Sequence, residues 1–191
     1  MTSAALRAEP AAGLPSLTLV LGGARSGKSA YAESVVAGHA APVYLATCPA
    51  SSLAGDGEMA ERIRRHRERR GNAWTTVEEP LDLIAAIAAH RRPGAAILVD
   101  CATLWLSNLM AAERDVDAEG DRLAAALAAS APDAAPVVVV ASEVGFGIVP
   151  DNALARRFRD HAGRLNQRLA AVARRVVLVA AGIPLVIKET S

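Results

Sequence analysis

The chain has 191 residues, of which 52% are hydrophobic, 21% charged and only 3% aromatic, and its formal net charge is +1. That length suits one well-buried domain and is short for two. The near-neutral balance excludes a general electrostatic pull toward nucleic acid or anionic membrane, so any positive charge that matters must be local.

Residues 1–15 carry Arg7 and Glu9 among Ala, Pro and Gly, without the compact apolar stretch of a signal peptide, and are expected to form a flexible tail ahead of a single domain at 16–191. Leu17 to Leu21 has strand character and runs into Gly22, where the spacing G-x-x-x-x-G-K-S is met by Gly22, Gly27, Lys28 and Ser29. The intervening Gly23, Ala24, Arg25 and Ser26 complete a phosphate-binding loop between a strand and a helix. Such a loop wraps with its N–H groups inward, and the following helix adds its positive end, so a polyphosphate meets donors without needing many side chains. Lys28 is placed to reach the β and γ phosphates and the Ser29 hydroxyl to hold Mg²⁺.

Beyond the loop a helix is expected over Lys28 to Val36, stopped at Gly38, then a buried strand from Pro42 to Ala46 with Thr47 and Cys48 at its end. A basic helix follows, from Asp56 or Gly57 to Arg70, and then an Ala-rich helix from Pro80 to His90. Ala95 to Asp100 reads as a central parallel strand ending on an acid. Helices are expected at Thr103 to Ala112 and Asp117 to Ala129, a strand at Val137 to Ala141, a loop at Val144 to Pro150, and a long helix from Asp151 to Ala173 capped by Asp151 or Asn152. Val176 to Ala181 and Leu185 to Lys188 close the chain as strands joined through Gly182 to Pro184. Strands alternating with helices predict an α/β domain whose sheet is mainly parallel and flanked by helices.

Ligands of such sheets bind beyond the carboxyl ends of the strands. Asp100 is there the natural second Mg²⁺ residue. Glu143 either orients a substrate hydroxyl or satisfies loop N–H groups, and the sequence leaves both open. Cys48 and Cys101 each follow an apolar run and are expected as thiols in a reducing, cytosolic compartment. The longest apolar segment near the end, Val176 to Ile187, is short of a membrane span and is broken by Gly182 and Pro184, so no membrane anchor is expected.

In the basic helix, His66 stands three residues beyond Ile63 and seven beyond Met59, with Arg62, Arg69 and Arg70 at helical contact distance. A lone His on a semi-apolar face is commonly a boundary residue, and an arginine run commonly a solvated face. Alternatively, the guanidinium groups keep the imidazole neutral and nucleophilic while neutralising a triphosphate, as a phosphoramidate intermediate would require.

Four segments carry a resemblance: GGARSGKS, the run Glu58 to Arg67 (EMAERIRRHR), the strand-end Asp100-Cys101, and SEVGFGIVPDNALARRFRDHAGRLNQRLA from Ser142 to Ala170. From about Leu17 to Lys188 the chain resembles the bifunctional adenosylcobinamide kinase and adenosylcobinamide-phosphate guanylyltransferase family of cobalamin biosynthesis. The resemblance implies a P-loop NTPase fold of RecA-like type, ATP or GTP as phosphoryl donor to adenosylcobinamide, then guanylylation of adenosylcobinamide phosphate by GTP through a histidine–GMP intermediate. It implies His66 as the nucleophile. It also implies nucleotide contacts from Gly22 through Ser29, from Thr47, Cys48 and Pro49, from Arg67, Glu68, Arg69 and Arg70, and from Glu78 and Asp100. A homotrimer is implied as well. The Ala50 to Gly57 connection looks longer than is usual in that family. Two other readings stand beside this one: a plain small-molecule kinase using only the phosphate loop and Asp100, and a RecA-like ATP-driven module acting on nucleic acid, against which the low net charge and few aromatics argue.

Overall fold

Strands form where Leu, Val, Ile and Ala run without charge, and helices take the Ala-rich stretches between them. The computed structural model describes residues 13–48, 73–129 and 134–190. In chain order these hold β1 (Leu17–Gly22), α1 (Lys28–Val36), β2 (Ala41–Ala46), β3 (Thr75–Glu78), α2 (Leu83–His90), β4 (Ala95–Asp100), α3 (Ala102–Ala111), α4 (Val116–Ala128), β5 (Val137–Ser142), α5 (Ala153–Val172), β6 (Arg175–Ala180) and β7 (Ile183–Glu189). The basic helix expected before Arg70 and most of the N-terminal tail lie outside the described residues.

The strands pair into one seven-stranded sheet in the order β3-β2-β4-β5-β1-β6-β7. Every neighbouring pair is parallel except β6 and β7. From β1 the chain passes to β2 on one side of the sheet, and β6 later joins its other side, so the loop after β1 lies where the strand order switches. β5 stands between β1 and β4, the strand that ends at Asp100. This is the mainly parallel, helix-flanked α/β arrangement that the sequence predicts.

Both faces of the five central strands, β2, β4, β5, β1 and β6, are buried, as parallel strands require, while the edge strands β3 and β7 are largely exposed. Leu17, Leu19 and Leu21 of β1 join Val43, Leu45, Ile97, Val99, Val137 and Val139 on one face, where α2, α3, α4 and α5 bring Leu83, Trp105, Leu123 and Leu165 against them. Val20, Leu98, Val138, Val140 and Val177 point the other way and pack under Tyr31, Ala32 and Val36 of α1. The residue-by-residue alternation explains why aliphatic runs, rather than alternating polar ones, mark these strands.

Three expectations change. β3 was not foreseen, because four residues with two threonines and a glutamate make too short a pattern; pairing of Val43 to Thr75 through Ala46 to Glu78 creates it. α2 starts at Leu83 rather than Pro80, since a Glu79 carboxylate oxygen accepts the N–H groups of Leu81 and Asp82, both at 2.8 Å, and holds that stretch as a turn. The last hairpin turns at Ala181 and Gly182, whose φ values of 51° and 80° are those a tight two-residue turn needs. Pro184 lies inside β7, opposite Val179, where an edge strand tolerates it.

α4 and α5 are joined by ions. Asp117 accepts from Arg164 at 3.0 and 3.2 Å and from Arg168 at 2.8 Å, His161 stands 3.4 Å from it, and Arg168 also reaches Asp121 at 2.6 Å. The bonds from Arg164 and then Arg168 hold the Asp117 carboxyl at about 2, below its ordinary 3.8. A depressed carboxyl stabilises the fold above its ordinary value, and the contribution is lost as pH falls through that interval. Because Asp117 is partly exposed, water screens the effect. Asp117→Asn is expected to lower the denaturant midpoint at neutral pH, with the gap to the unsubstituted chain closing on acidification below 3.8 toward 2. A gap that persists unchanged to the acid end would refute the linkage.

Candidate active site

The loop from Gly22 to Ser29 is the turn between β1 and α1, and its shape follows from its glycines. A Cβ on Gly22 would collide with Ser26 Oγ and stand 2.6 Å from the Val179 carbonyl oxygen. Gly27 has φ 97°, where only glycine is unstrained, and a Cβ there would lie 3.2 Å from Gly182 Cα. Arg25 also takes a positive φ, 57°. Inside the loop Ser26 N–H donates to Gly23 O at 3.3 Å, and the buried Lys28 extends its ammonium across it to the same oxygen at 3.0 Å. Gly27 caps α1 without a side chain, and the first turn holds no acid. The helix therefore presents its positive end and first-turn N–H groups to whatever anion enters the loop.

Two contacts brace this loop from far away in the chain. Gly182 N–H donates to Ser26 O at 2.8 Å, so the β6–β7 hairpin supports it from one side. Glu143 N–H donates to Gly22 O at 3.1 Å from the end of β5 on the other.

Register sets the carboxyl edge of the sheet: Glu78, Ala46, Asp100, Val140 and Val20 stand level across the strands, and Gly22 stands two residues further along β1, opposite Ser142. Asp100 Oδ2 accepts the Tyr44 hydroxyl at 3.0 Å, which fixes the carboxylate at the strand end. At the usual spacing of about 4.8 Å per strand and about 3.3 Å per residue, Asp100, two strands across and two residues short of Gly22, stands about 12 Å from the loop, and Glu78, four strands across, about 20 Å. A carboxylate at the first distance can reach toward an ion beside bound phosphates. At the second, Glu78 and the loop can meet only opposite ends of one extended nucleotide.

Thr47 is fully buried, and its hydroxyl is engaged twice, donating to Cys101 O and accepting from Cys101 N–H, each at 3.0 Å. Its carbonyl accepts from the Asn108 amide at 2.8 Å. Thr47 thus ties β2 to the turn after β4, and the nucleotide contact expected of it is not one its hydroxyl is placed to make. Cys48 and Cys101 are thiols, as expected. Burial first, then the Asp100 charge, pushes the Cys101 thiol up to about 11, so it is no nucleophile near neutral pH. Among the described residues no group of three or more His, Cys, Asp or Glu could hold a metal ion.

His66, Pro49, Arg67, Glu68, Arg69 and Arg70 lie outside the described residues. The structure adds residues that sequence reasoning passed over. Tyr44 carried no signal and Gly182 only that of a turn, since their partners lie 56 residues and more than 150 residues away in the chain. Asn166 had one, standing in the R-x-N-Q-R run: buried on α5, its amide donates to Ser142 O at 3.2 Å and anchors the end of β5. Glu143, left open above, donates its N–H to the loop and accepts Gly145 N–H on its carboxylate at 2.6 Å.

Comparison with known proteins agrees with this geometry. The family model described as cobinamide kinase / cobinamide phosphate guanyltransferase matches residues 18–187. The bifunctional adenosylcobalamin biosynthesis protein CobP of Pseudomonas aeruginosa is 43% identical over 171 residues, covering 89% of this chain and 96% of its own. The proteins named bifunctional adenosylcobalamin biosynthesis protein CobU of Salmonella typhimurium and Escherichia coli are 43% and 42% identical over 187 residues, each covering 90% of this chain and 99% of the relative. A match that begins within β1, ends within β7 and takes in both the phosphate loop and the strand-end acid shows that the chain belongs to the cobinamide kinase / cobinamide phosphate guanyltransferase family.

Proposed function

We propose that this chain is a bifunctional transferase of adenosylcobalamin biosynthesis, a single catalytic unit spanning residues 16–191 that phosphorylates adenosylcobinamide and then guanylylates the product. The observation that carries it is the braced loop from Gly22 to Ser29 beside the Asp100 strand end, in a chain whose relatives bear the bifunctional name along nearly their full length.

In the first reaction ATP or GTP lies with its phosphates on the loop N–H groups. Lys28 swings from Gly23 O to the β and γ oxygens, and the substrate hydroxyl gives up its proton and attacks the γ-phosphorus as the β–γ bridge bond breaks and ADP or GDP departs. Magnesium suits the oxygen-only donors Ser29 and Asp100, because that ion takes one or two protein oxygens and completes its shell with phosphate and water. When bound it would spread the charge that develops on the transferring group. In the second reaction a neutral His66 attacks the α-phosphorus of GTP and pyrophosphate leaves. The phosphate of adenosylcobinamide phosphate then displaces the histidine to give adenosylcobinamide-GDP. Cys48, Pro49, Glu78 and Arg67 to Arg70 are assigned to the nucleotide on the same family grounds. The resemblance also supports a homotrimer, and the free thiols of Cys48 and Cys101 support a cytoplasmic location; among the described residues no helix is long and apolar enough to cross a membrane.

The test supplies the purified chain with GTP labelled at the α-phosphorus. Quenching is expected to leave label on the protein in an acid-labile, alkali-stable bond, and adding adenosylcobinamide phosphate is expected to discharge it into adenosylcobinamide-GDP. Phosphorylation of adenosylcobinamide without any protein-bound label would reduce the activity to that of a plain kinase.

A further inference from the structure

The segment between β5 and α5 has an unusual division of labour. Phe146 and Ile148 are 86% and 95% exposed, and Val149 and Leu154 are also well exposed. Four large apolar side chains within nine residues are thus held in water, a pattern that marks a binding surface more often than a folding need. The base of the segment is secured by polar ties instead. Glu143 is bonded to Gly22 O and Gly145 N–H, Arg156 donates to Pro150 O at 3.0 Å and Asp151 O at 2.8 Å, and Asn152 caps α5 by accepting from Ala155 N–H at 2.8 Å. The fold therefore uses none of the four apolar groups to hold the loop in shape.

Position narrows the occupant. The segment leaves the carboxyl end of β5, the strand between the phosphate loop and Asp100, so whatever docks on it lies against the phosphoryl-transfer site. The phosphates have their own donors in the loop, and the rest of the nucleotide is assigned to Glu78 and its neighbours toward the far edge of the sheet, on the other side of β4. The other substrate of the proposed reaction is a corrinoid, a broad macrocycle with methyl-bearing faces, an amide rim and a flexible arm that ends in the reacting hydroxyl.

We propose that Phe146, Ile148, Val149 and Leu154 form the docking platform for the corrin ring of cobinamide, placing its hydroxyl arm over the Gly22 to Ser29 loop. This rests on the function proposed above. Burying these side chains against the macrocycle supplies the affinity, while the tie from Glu143 to Gly22 sets the platform's height relative to the phosphates.

The test is equilibrium binding of adenosylcobinamide to the full chain by calorimetry, for wild type, F146S, I148S, F146L and I148V. Each serine variant is expected to weaken binding by about tenfold, while the apolar replacements stay within about threefold of wild type. GTP affinity in the same preparations reports an intact nucleotide site. Serine variants that bind adenosylcobinamide like wild type overturn the platform. So does a fall in assembly mass by light scattering in those variants, which would make the surface a contact between copies of this chain. Failure of the wild type to bind or phosphorylate adenosylcobinamide instead refutes the function itself, so the two failures are told apart.

Discussion

His66→Ala is expected to leave no GMP on the protein and to cut guanylyl transfer by about 10³-fold or more relative to phosphorylation in the same preparation. The argument is chemical. A phosphoramidate needs an imidazole lone pair at neutral pH, and on the helix expected from the sequence the spacing would set Arg62, Arg69 and Arg70 around His66, where their charge would disfavour the imidazolium form. The same guanidiniums can draw charge from the departing pyrophosphate. Alanine removes the nucleophile and leaves that cage in place, so nucleotide binding alone cannot mimic the loss. Retention of α-label on the variant, after the same quench, would remove His66 from the mechanism.

Lys28→Ala is expected to lower phosphoryl transfer from ATP or GTP by about 10³-fold, chiefly in kcat, because the ammonium stabilises charge that grows on the phosphate oxygens in the transition state. Lys28 is buried at the start of α1 and already extends across the loop to Gly23 O. The apolar cluster that packs α1 on the sheet is made by Tyr31, Ala32 and Val36, which the change leaves in place, so the fold should survive it. Initial rates with adenosylcobinamide, read beside a circular-dichroism melt, separate the two effects. A rate within about tenfold of wild type in a folded variant would exclude the assigned role of Lys28.

Legibility followed the range of the interactions. α1 spans Lys28 to Val36 and β4 spans Ala95 to Asp100, the bounds read from the chain, because glycine geometry, aliphatic runs and helix starts act within a few residues. The Asn152 cap of α5 was legible for the same reason. β3 escaped because Thr75 to Glu78 becomes a strand only by pairing with β2. The start of α2 moved because Glu79 turned back on Leu81 and Asp82. At the candidate site the loop and Asp100 were readable as motifs, whereas the double engagement of the Thr47 hydroxyl by Cys101 depends on a partner 54 residues away.

The amino-acid order alone determined the strand–loop–helix unit from Leu17 to Val36, the acid at the end of β4 and the kinship of the chain, since each is written in neighbouring residues. Tertiary structure decided which strands lie side by side: β5 between the loop and Asp100, Tyr44 against the Asp100 carboxylate, and the Gly182 hairpin beneath Ser26. Those contacts join residues dozens of positions apart, and no local propensity encodes them. They arise when both faces of the sheet are covered at once, because that burial selects the strand order and the strand order then aligns the carboxyl ends.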